Sequence, residues 1–317
     1  MVLKWFLGLI GLAIIAAFIP WGSWGIASHP NPASSYAEAV RRIKQILASE
    51  GADFNPECQT RFLTHGQQAA RVVILVHGYT NCPQQFAALG QQFFELGDNV
   101  LILPLPHHGL ADRMTEAQAQ LSAPELAAYA DQTVDIARGL GKQITMIGIS
   151  AGGVTTAWAA QNRADIDLAI IISPAFGFKQ VPSILTAPAM NLYRLLPDAY
   201  QWWNSQLKAN VMPTYAYPRY SQHALAQTLR LAFAVRLGAD ANPPAAKKLV
   251  VVFNPSDNSI NNELTAQVVK TWQAHGANLS TYEFEKKLTL GHDLIDPTQP
   301  DQNIAEVYPR LIELAGQ

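Results

Sequence analysis

The chain has 317 residues, of which 49% are hydrophobic, and its formal net charge is −2 at pH 7. This length is enough for one large domain with a substantial buried core. A near-neutral charge without a basic cluster argues against a nucleic-acid-binding protein. The charged fraction, 15%, lies below the roughly 25% usual for soluble domains. Part of this deficit lies in the first 37 residues, where Lys4 is the only charged side chain.

The N-terminal segment is apolar over residues 5–19 and uncharged through Ala27. A helix over the apolar part is about 22 Å long, short of a hydrocarbon core of about 30 Å, but extension through Trp24 would span it. Tryptophans at both ends are typical of a membrane interface. We therefore predict that residues 1–27 form a membrane anchor. The alternatives are a cleaved signal peptide and an apolar helix packed in the fold. The anchor and the signal peptide both place the remaining chain outside the cytoplasm.

Residues 28–57 are predicted to be a linker and an amphipathic helix. Ser35 stands three residues before Glu38, which is the spacing of a capping box at a helix start. Apolar residues then recur at helical spacing, namely Val40, Ile43, Ile46 and Leu47. We expect a single further domain over residues 58–317.

Short apolar runs alternate with helical stretches along this domain. The runs cover residues 72–76, 99–103, 144–148, 168–172, 248–253 and 279–284. Continuous apolar runs of this length are typical of strands that are buried on both faces. Between the second and third runs, Ser122 and Glu125 form another capping box, which predicts a helix through Arg138. The alternation predicts an α/β fold with a mostly parallel sheet flanked by helices.

A serine stands between two glycines directly after the third run, in the sequence Gly148-Ile149-Ser150-Ala151-Gly152. Glycines at this spacing allow a sharp turn from strand to helix that leaves the serine oxygen exposed. A serine hydroxyl is a weak nucleophile at neutral pH and needs a neighbouring base. The alternative is a small residue that fills a tight turn. A base and an acid elsewhere in the chain would favour the nucleophile.

Asp257 and His292 lie further along the chain, each after a predicted strand. The order serine, aspartate, histidine is the order of the catalytic triad in one fold. We therefore predict His292 as the base for Ser150 and Asp257 as the acid that orients it. Asp293 and Asp296 are rival acids because they are close to His292 in sequence. Adjacent residues seldom point their side chains at each other, which disfavours Asp293.

In these residues the chain resembles the α/β-hydrolase family, in its serine carboxylesterase and monoglyceride-lipase-like branch. The resemblance covers about residues 60–315 and rests on four sites in chain order: His77-Gly78-Tyr79, residues 148–152, Asp257, and Gly291-His292. It implies an α/β-hydrolase fold.

The resemblance also implies an oxyanion hole, which is a pair of backbone N–H groups that stabilise the charged oxygen of a tetrahedral intermediate. These groups would belong to Ala151, after the nucleophile, and to Tyr79, in the loop after the first run. His77 matches a residue that shapes this loop. His107 and His108 match the pocket wall, and no carboxylate or cysteine stands beside them at ligand spacing. We therefore predict no metal site.

Residues 175–247 contain no convincing strand. The interval is rich in aromatic residues, namely Phe176, Phe178, Tyr193, Trp202, Trp203, Tyr215, Tyr217 and Tyr220. Members of the family carry a helical cap over the active site at this point, so the resemblance implies a cap insertion here. Its apolar residues would favour an acyl chain or another hydrophobic group. The alternative is an insertion that packs away from the pocket.

The chain has two cysteines, Cys58 and Cys82. An even number of cysteines in an exported chain permits a disulfide. Such a bond would join the segment before the first strand to the loop that carries Tyr79. The alternative is a pair of free cysteines that serve as small hydrophobic residues.

Together these residues predict a serine hydrolase that cleaves carboxylic esters of small molecules or lipids through an acyl-enzyme on Ser150. Water completes turnover, so no cofactor is expected. An acyltransferase and a peptidase use the same triad, and a non-catalytic binding module on the same fold is a further alternative. The residues do not select among natural substrates, acyl-chain lengths or oligomeric states.

Overall fold

A seven-stranded sheet forms the centre of the protein. The computed structural model describes residues 5, 11–12 and 15–316. The described residues form nine strands, of which β6 and β7 lie outside this sheet. They are β1 (Arg61–Leu63), β2 (Ala69–Val76), β3 (Asn99–Ile102), β4 (Gly141–Ile149), β5 (Leu168–Ile172), β6 (Tyr200–Trp202), β7 (Arg219–Ser221), β8 (Leu249–Phe253) and β9 (Leu279–Glu283). The sheet order is β1-β3-β2-β4-β5-β8-β9, and only β1 runs antiparallel to its neighbour. The predicted mostly parallel sheet is confirmed.

Helices flank this sheet. They are α1 (Tyr36–Ser49), α2 (Ala87–Glu95), α3 (Ala123–Leu140), α4 (Ala151–Asn162), α5 (Thr186–Leu195), α6 (Gln222–Ala241), α7 (Asn262–Ala274) and α8 (Ile304–Ala315). Ser35 caps α1 by accepting a hydrogen bond from the Glu38 N–H at 3.2 Å. A complete capping box starts α3, because Ser122 and Glu125 each bond the other's backbone N–H.

The core lies on both faces of the sheet, because successive side chains of a strand point to opposite faces. In β2, Val72, Ile74 and Val76 pack with residues of α1, α3, α4, α6 and α7. Val73 and Leu75 pack on the other face with residues of α2 and α8. Burial on both faces explains why this strand is a continuous apolar run. The loops that follow the parallel strands therefore gather at one edge of a rigid sheet.

The interval from residue 175 to 247 differs from its prediction in one respect. It contains α5 and α6, but also β6 and β7, which pair antiparallel in a small separate sheet. Each of these strands has three residues and carries no continuous apolar run. Such short strands have no periodicity that a sequence could reveal.

The transmembrane anchor predicted over residues 1–27 is wrong. Among the described residues, no helix has the length and apolar character needed to cross a bilayer. The membrane-anchored or exported location that followed from this anchor is corrected with it. Residues 1–4, 6–10 and 13–14 of the segment lie outside the described residues.

Backbone carbonyls of residues 17–22 contact the helices α5 and α6. The Asn191 amide donates hydrogen bonds to the carbonyls of Ala17 at 3.0 Å and Ile19 at 2.7 Å. Arg230 donates to the carbonyl of Gly22 at 2.7 Å. These contacts join the end of the segment, residues 17–22, to the helices of the interval 175–247.

Arg163 is the largest charged side chain in the interior, with 2% of its surface exposed. It lies at the end of α4 and pairs with Asp131 at 3.0 Å, Asp135 at 2.6 Å and Asp165 at 2.8 Å. The first two carboxylates also bind the segment before α1, since the His29 N–H donates to Asp131 at 2.6 Å and the Asn31 N–H donates to Asp135 at 2.8 Å. One buried guanidinium thus connects α3, α4 and the segment before α1.

Replacement of this guanidinium should strongly destabilise the protein. In Arg163→Met, the buried Asp131 and Asp135 lose their cation, and breaking such a pair costs about 3–5 kcal/mol. Urea unfolding measures the difference. The control is Arg41→Met, because Arg41 is 66% exposed and its pairing with Glu38 is 3.7 Å long. Its cost should stay below about 1 kcal/mol. Equal stabilities of the two variants would contradict the structural role of Arg163.

Candidate active site

Ser150 occupies the sharp turn between β4 and α4. Its backbone has φ 57° and ψ −117°, in a region that residues other than glycine rarely adopt. A Cβ added to Gly148 would lie 2.3 Å from the Gly152 carbonyl oxygen, and one added to Gly152 would lie 2.2 Å from the Val76 carbonyl oxygen. Neither position has room for a side chain. The two glycines therefore let α4 approach β2 and β4 closely while the serine projects from the turn.

The structure brings the three residues of the predicted triad to the same edge of the sheet. Ser150 and His292 line one pocket. Asp257 follows β8 and is buried, and its Oδ2 accepts a hydrogen bond from His292 Nδ1 at 2.7 Å. Its Oδ1 accepts the backbone N–H groups of Ser259 at 2.8 Å and Ile260 at 3.1 Å. The carboxylate is thus fixed on one side by backbone and on the other by the imidazole.

The two partners change each other's proton affinity. Burial raises the pKa of Asp257, but attraction to His292 and the hydrogen bonds outweigh it, so this pKa is lower than usual. Burial lowers the pKa of His292, but the charge and hydrogen bond of Asp257, together with the charge of Asp293, outweigh it and raise this pKa above its ordinary value. The bond through Nδ1 also sets the ring tautomer, which leaves Nε2 as the basic nitrogen.

Tyr79 and Ala151 line the same pocket, and both residues are buried. Within the described part of the chain, neither N–H has a hydrogen-bond acceptor. Buried N–H groups are normally paired, so two such groups at one pocket mark a place where a ligand oxygen can bind. Ala151 is the first residue of α4, and the positive end of the helix dipole adds to the attraction for an anion.

Contacts from distant segments hold the turn that follows Tyr79. Thr80 has a φ of 65°. Its N–H donates to His108 Nε2 at 3.1 Å. Its carbonyl accepts the Tyr217 N–H at 2.8 Å, and its hydroxyl accepts the Trp203 indole N–H at 2.8 Å. Sequence analysis did not identify these partners, because Trp203 and Tyr217 lie more than a hundred residues away.

The histidines near this turn act as hydrogen-bonding partners within the fold. His77 Nε2 accepts the Leu105 N–H at 2.9 Å, and its Nδ1 lies 2.8 Å from the Gly78 carbonyl. Burial and the nearby His108 lower the pKa of His77 to about 3. Burial lowers the pKa of His108 to about 4, which keeps its Nε2 available as an acceptor for Thr80. Groups of three or more potential metal ligands are absent from the residues described.

Cys58 and Cys82 are joined by a disulfide, with an S–S distance of 2.09 Å. Both cysteines are buried. Cys82 directly follows Asn81, so the bond fastens the end of the turn that carries Tyr79 to the short helical segment Pro56–Cys58.

The pocket has a volume of about 550 Å³ and two chemically different sides. Its apolar side comes mostly from the interval 175–247, including Phe178, Val181, Tyr193, Met212, Tyr220 and Leu225. Its polar corner is formed by Asn81, Gln85, Asp293 and Gln299. Asp293 was considered from the sequence only as a rival acid for His292. Its side chain instead contacts Asn81 and Gln299.

Comparisons with known proteins agree with this architecture. The family model described as "Serine aminopeptidase, S33" matches residues 67–252. The structure is similar to one reported for LipS and LipT, two metagenome-derived lipolytic enzymes, with 18% identity and a TM-score of 0.61 over 83% of this chain and 100% of that one. It is also similar to a monoacylglycerol lipase from Paleococcus ferrophilus, with 17% identity and a TM-score of 0.61 over 81% of this chain and 98% of that one.

A third similar structure is a soluble variant of monoglyceride lipase from Saccharomyces cerevisiae, with 12% identity and a TM-score of 0.60 over 80% of this chain and 89% of that one. No curated protein sequence matches the chain. At identities this low, the three structural similarities establish a shared fold and no more. The family model, which covers more than half of the 317 residues, establishes the family. The resemblance found in the sequence is therefore confirmed: the chain belongs to the serine aminopeptidase S33 family of α/β hydrolases, and it shares its fold with lipases and esterases.

Proposed function

We propose that the protein hydrolyses carboxylic esters through an acyl-enzyme on Ser150. One observation carries this proposal, the 2.7 Å hydrogen bond between His292 Nδ1 and the buried Asp257 in a pocket that Ser150 also lines. This arrangement gives a serine hydroxyl the oriented base that it needs. The family is one of hydrolases, and the proposal specifies the nucleophile and the bond that is cleaved.

The first half of the reaction transfers the acyl group to the enzyme. Ser150 Oγ attacks the ester carbonyl carbon while His292 Nε2 takes the hydroxyl proton. The carbonyl π electrons move onto oxygen, and the N–H groups of Tyr79 and Ala151 donate to that oxyanion. When the carbonyl re-forms, the bond to the alcohol oxygen breaks, and this oxygen takes the proton from His292. The alcohol leaves, and the acyl group remains on Ser150.

The second half returns the enzyme to its starting state. Water attacks the acyl carbon and gives a proton to His292 Nε2, and the same N–H groups bind the new oxyanion. Collapse of this intermediate breaks the bond to Ser150 Oγ, which recovers its proton from His292. The carboxylic acid leaves. Asp257 stays ionised throughout and stabilises the imidazolium in both halves.

The substrate class follows from the pocket. We propose that the interval 175–247 acts as a cap and that its apolar side chains bind the acyl group. A hydrocarbon chain buried there gains roughly 0.8 kcal/mol for each methylene removed from water. The family description names an aminopeptidase, so cleavage of an amide is the second candidate. The apolar character of the cap side chains favours the ester.

The disulfide between Cys58 and Cys82 has a role in this proposal. It fastens Cys82, directly after the turn of residues 78–81 that we call the oxyanion turn, so the Tyr79 N–H keeps its direction when substrate binds. Loss of the bond would release a loop whose two ends are 24 residues apart in sequence. The unfolded chain would gain conformational entropy worth about 3 kcal/mol.

A fluorophosphonate should label the full-length protein at Ser150. This reagent reacts with serines that a base activates, so Ser150→Ala should abolish labelling and His292→Ala should slow it severely. Hydrolysis of a p-nitrophenyl ester should fall by about 10⁶ in Ser150→Ala. Ser173→Ala is a matched control, because Ser173 is buried after β5 and does not line the pocket. Labelling of Ser150→Ala at the parent rate would refute the nucleophile. Faster cleavage of aminoacyl p-nitroanilides than of esters would favour the peptidase.

Activity should fall in acid as His292 gains a proton. Because the pKa of His292 is raised, the imidazole stays protonated, and therefore inactive as a base, to a higher pH than an ordinary histidine does. Asp257→Asn removes the charge that raises this pKa. The midpoint of the acid limb of kcat/KM should therefore move to lower pH, while the plateau falls by up to about 10⁴. Asp240→Asn, on the exposed end of α6, should change neither. A midpoint unchanged in Asp257→Asn would contradict the pairing.

Leu225 should limit the length of the acyl chain that the pocket accepts. It lies on α6 and lines the apolar side. In Leu225→Trp the larger ring fills this space, so kcat/KM for p-nitrophenyl octanoate should fall at least about tenfold while that for the acetate stays within about threefold. Leu195→Trp serves as the control, since Leu195 is 84% exposed on α5. Equal losses with both esters would place the acyl group elsewhere.

A further inference from the structure

The proposed mechanism leaves one carboxylate of the pocket without a role, that of Asp293. It directly follows His292 and lines the polar corner. Its Oδ2 accepts hydrogen bonds from the Asn81 amide at 2.9 Å and from the Gln299 amide at 3.1 Å. The Gln85 side chain also faces this carboxylate and favours its ionised form. Amide groups from two other segments therefore converge on one anion.

Asn81 and Gln85 in turn hold both ends of the turn that carries Tyr79. The Gly78 N–H donates to Gln85 Oε1 at 2.8 Å, so the amide nitrogen of Gln85 is the group that is left to donate to Asp293. The Asn81 N–H donates to the Gly78 carbonyl at 3.2 Å and closes the turn. Asn81 Oδ1 accepts the Cys82 N–H at 2.9 Å. The side-chain oxygen of Asn81 is therefore occupied within the turn, and its amide nitrogen is the group that donates to Asp293.

We propose that Asp293 is a positioning residue that holds the oxyanion turn, and with it the Tyr79 N–H, against the loop of His292. This inference rests on the proposed function. Tyr79 lies between Gly78 and Asn81, so a shift of either residue moves its N–H. The hydrogen bond from Asn81 to Asp293 crosses directly from this turn to the residue after the base. It fixes the distance between the group that binds the oxyanion and the group that moves the proton.

A carboxylate matches the donors around this position. Each neighbouring amide presents N–H donors, and an ionised carboxylate accepts from all of them, whereas an asparagine has one acceptor oxygen and adds two donors. Burial and the nearby Asp296 raise the pKa of Asp293 to about 6. The anion is therefore held in an unfavourable environment by the amides that it orders. Asp293 does not orient His292, because Asp257 already occupies Nδ1.

Asp293→Asn tests this role with little change in shape. An asparagine has one acceptor oxygen, so its NH₂ group would face either the Asn81 and Gln299 amides or the Asp296 N–H that donates to Oδ1 at 3.3 Å, and the charge that attracts the turn would be lost. The oxyanion contact is made in the transition state, so kcat for a p-nitrophenyl ester should fall about 10- to 100-fold with KM nearly unchanged. Fluorophosphonate labelling should slow by a similar factor. Asp240→Asn removes an exposed carboxylate and should match the parent.

The reciprocal exchange distinguishes positioning from general damage to the fold. In the double variant that combines Asn81→Asp with Asp293→Asn, the carboxylate and the amide change places, so their hydrogen bond can form again. The carboxylate placed in the turn by Asn81→Asp can still accept the Cys82 N–H. The double variant should recover at least about tenfold in kcat over Asp293→Asn. Asn81→Asp alone sets two carboxylates against each other and should be slower than the double variant.

The outcomes separate this inference from the proposed function. Parent-like kcat and labelling in Asp293→Asn would overturn the positioning role and leave the hydrolase intact. A double variant no better than the product of the two single effects would also overturn it. If Asp293→Asn does not fold, Asn81→Ala removes the same bond from the other side and should show the same loss in kcat. A folded parent that neither labels nor cleaves any ester would overturn the proposed function and this inference together.

Discussion

The close approach of α4 to the sheet is the constraint on which the site depends. Gly148 and Gly152 leave no space for a Cβ, so the backbone of the helix start lies against β2. Between them Ser150 adopts a positive φ. This backbone conformation is unfavourable by itself, and the surrounding hydrogen bonds and packing stabilise it. The same turn places Ala151, the first residue of α4, in the pocket lining. One tight turn thus positions both the candidate nucleophile and half of the candidate oxyanion hole.

The remaining groups of the site depend on the parallel sheet, which brings the loops after β2, β4 and β8 to one edge. Asp257 enters from the loop after β8 and meets His292 from the loop after β9. Both groups are largely withdrawn from water, so their attraction outweighs burial and moves the pKa values apart. The attraction between Asp257 and His292 is stronger here than it would be on the surface, where solvent would screen the two charges.

The oxyanion turn contrasts with the serine turn, because distant contacts hold it. In this turn Thr80 forms hydrogen bonds with His108, Trp203 and Tyr217. The disulfide joins Cys82, at the end of the turn, to Cys58, and the Asn81 amide donates to Asp293. Several segments therefore hold the turn that contains one backbone N–H, that of Tyr79. The contacts from Trp203 and Tyr217 also connect the interval that lines the apolar side of the pocket to the turn.

By itself the sequence determined the α/β class, the six parallel strands and the family, because these depend on local properties such as continuous apolar runs, capping boxes and glycine spacing. The same local reasoning failed for residues 1–27, since an apolar segment suits a bilayer and a protein surface alike; only the tertiary structure placed Ala17 and Ile19 against Asn191. It likewise decided that Asp293 faces Asn81 and that Trp203 reaches Thr80. These contacts join residues more than a hundred positions apart, and hydrogen-bond geometry across such separations exists only once the chain has folded.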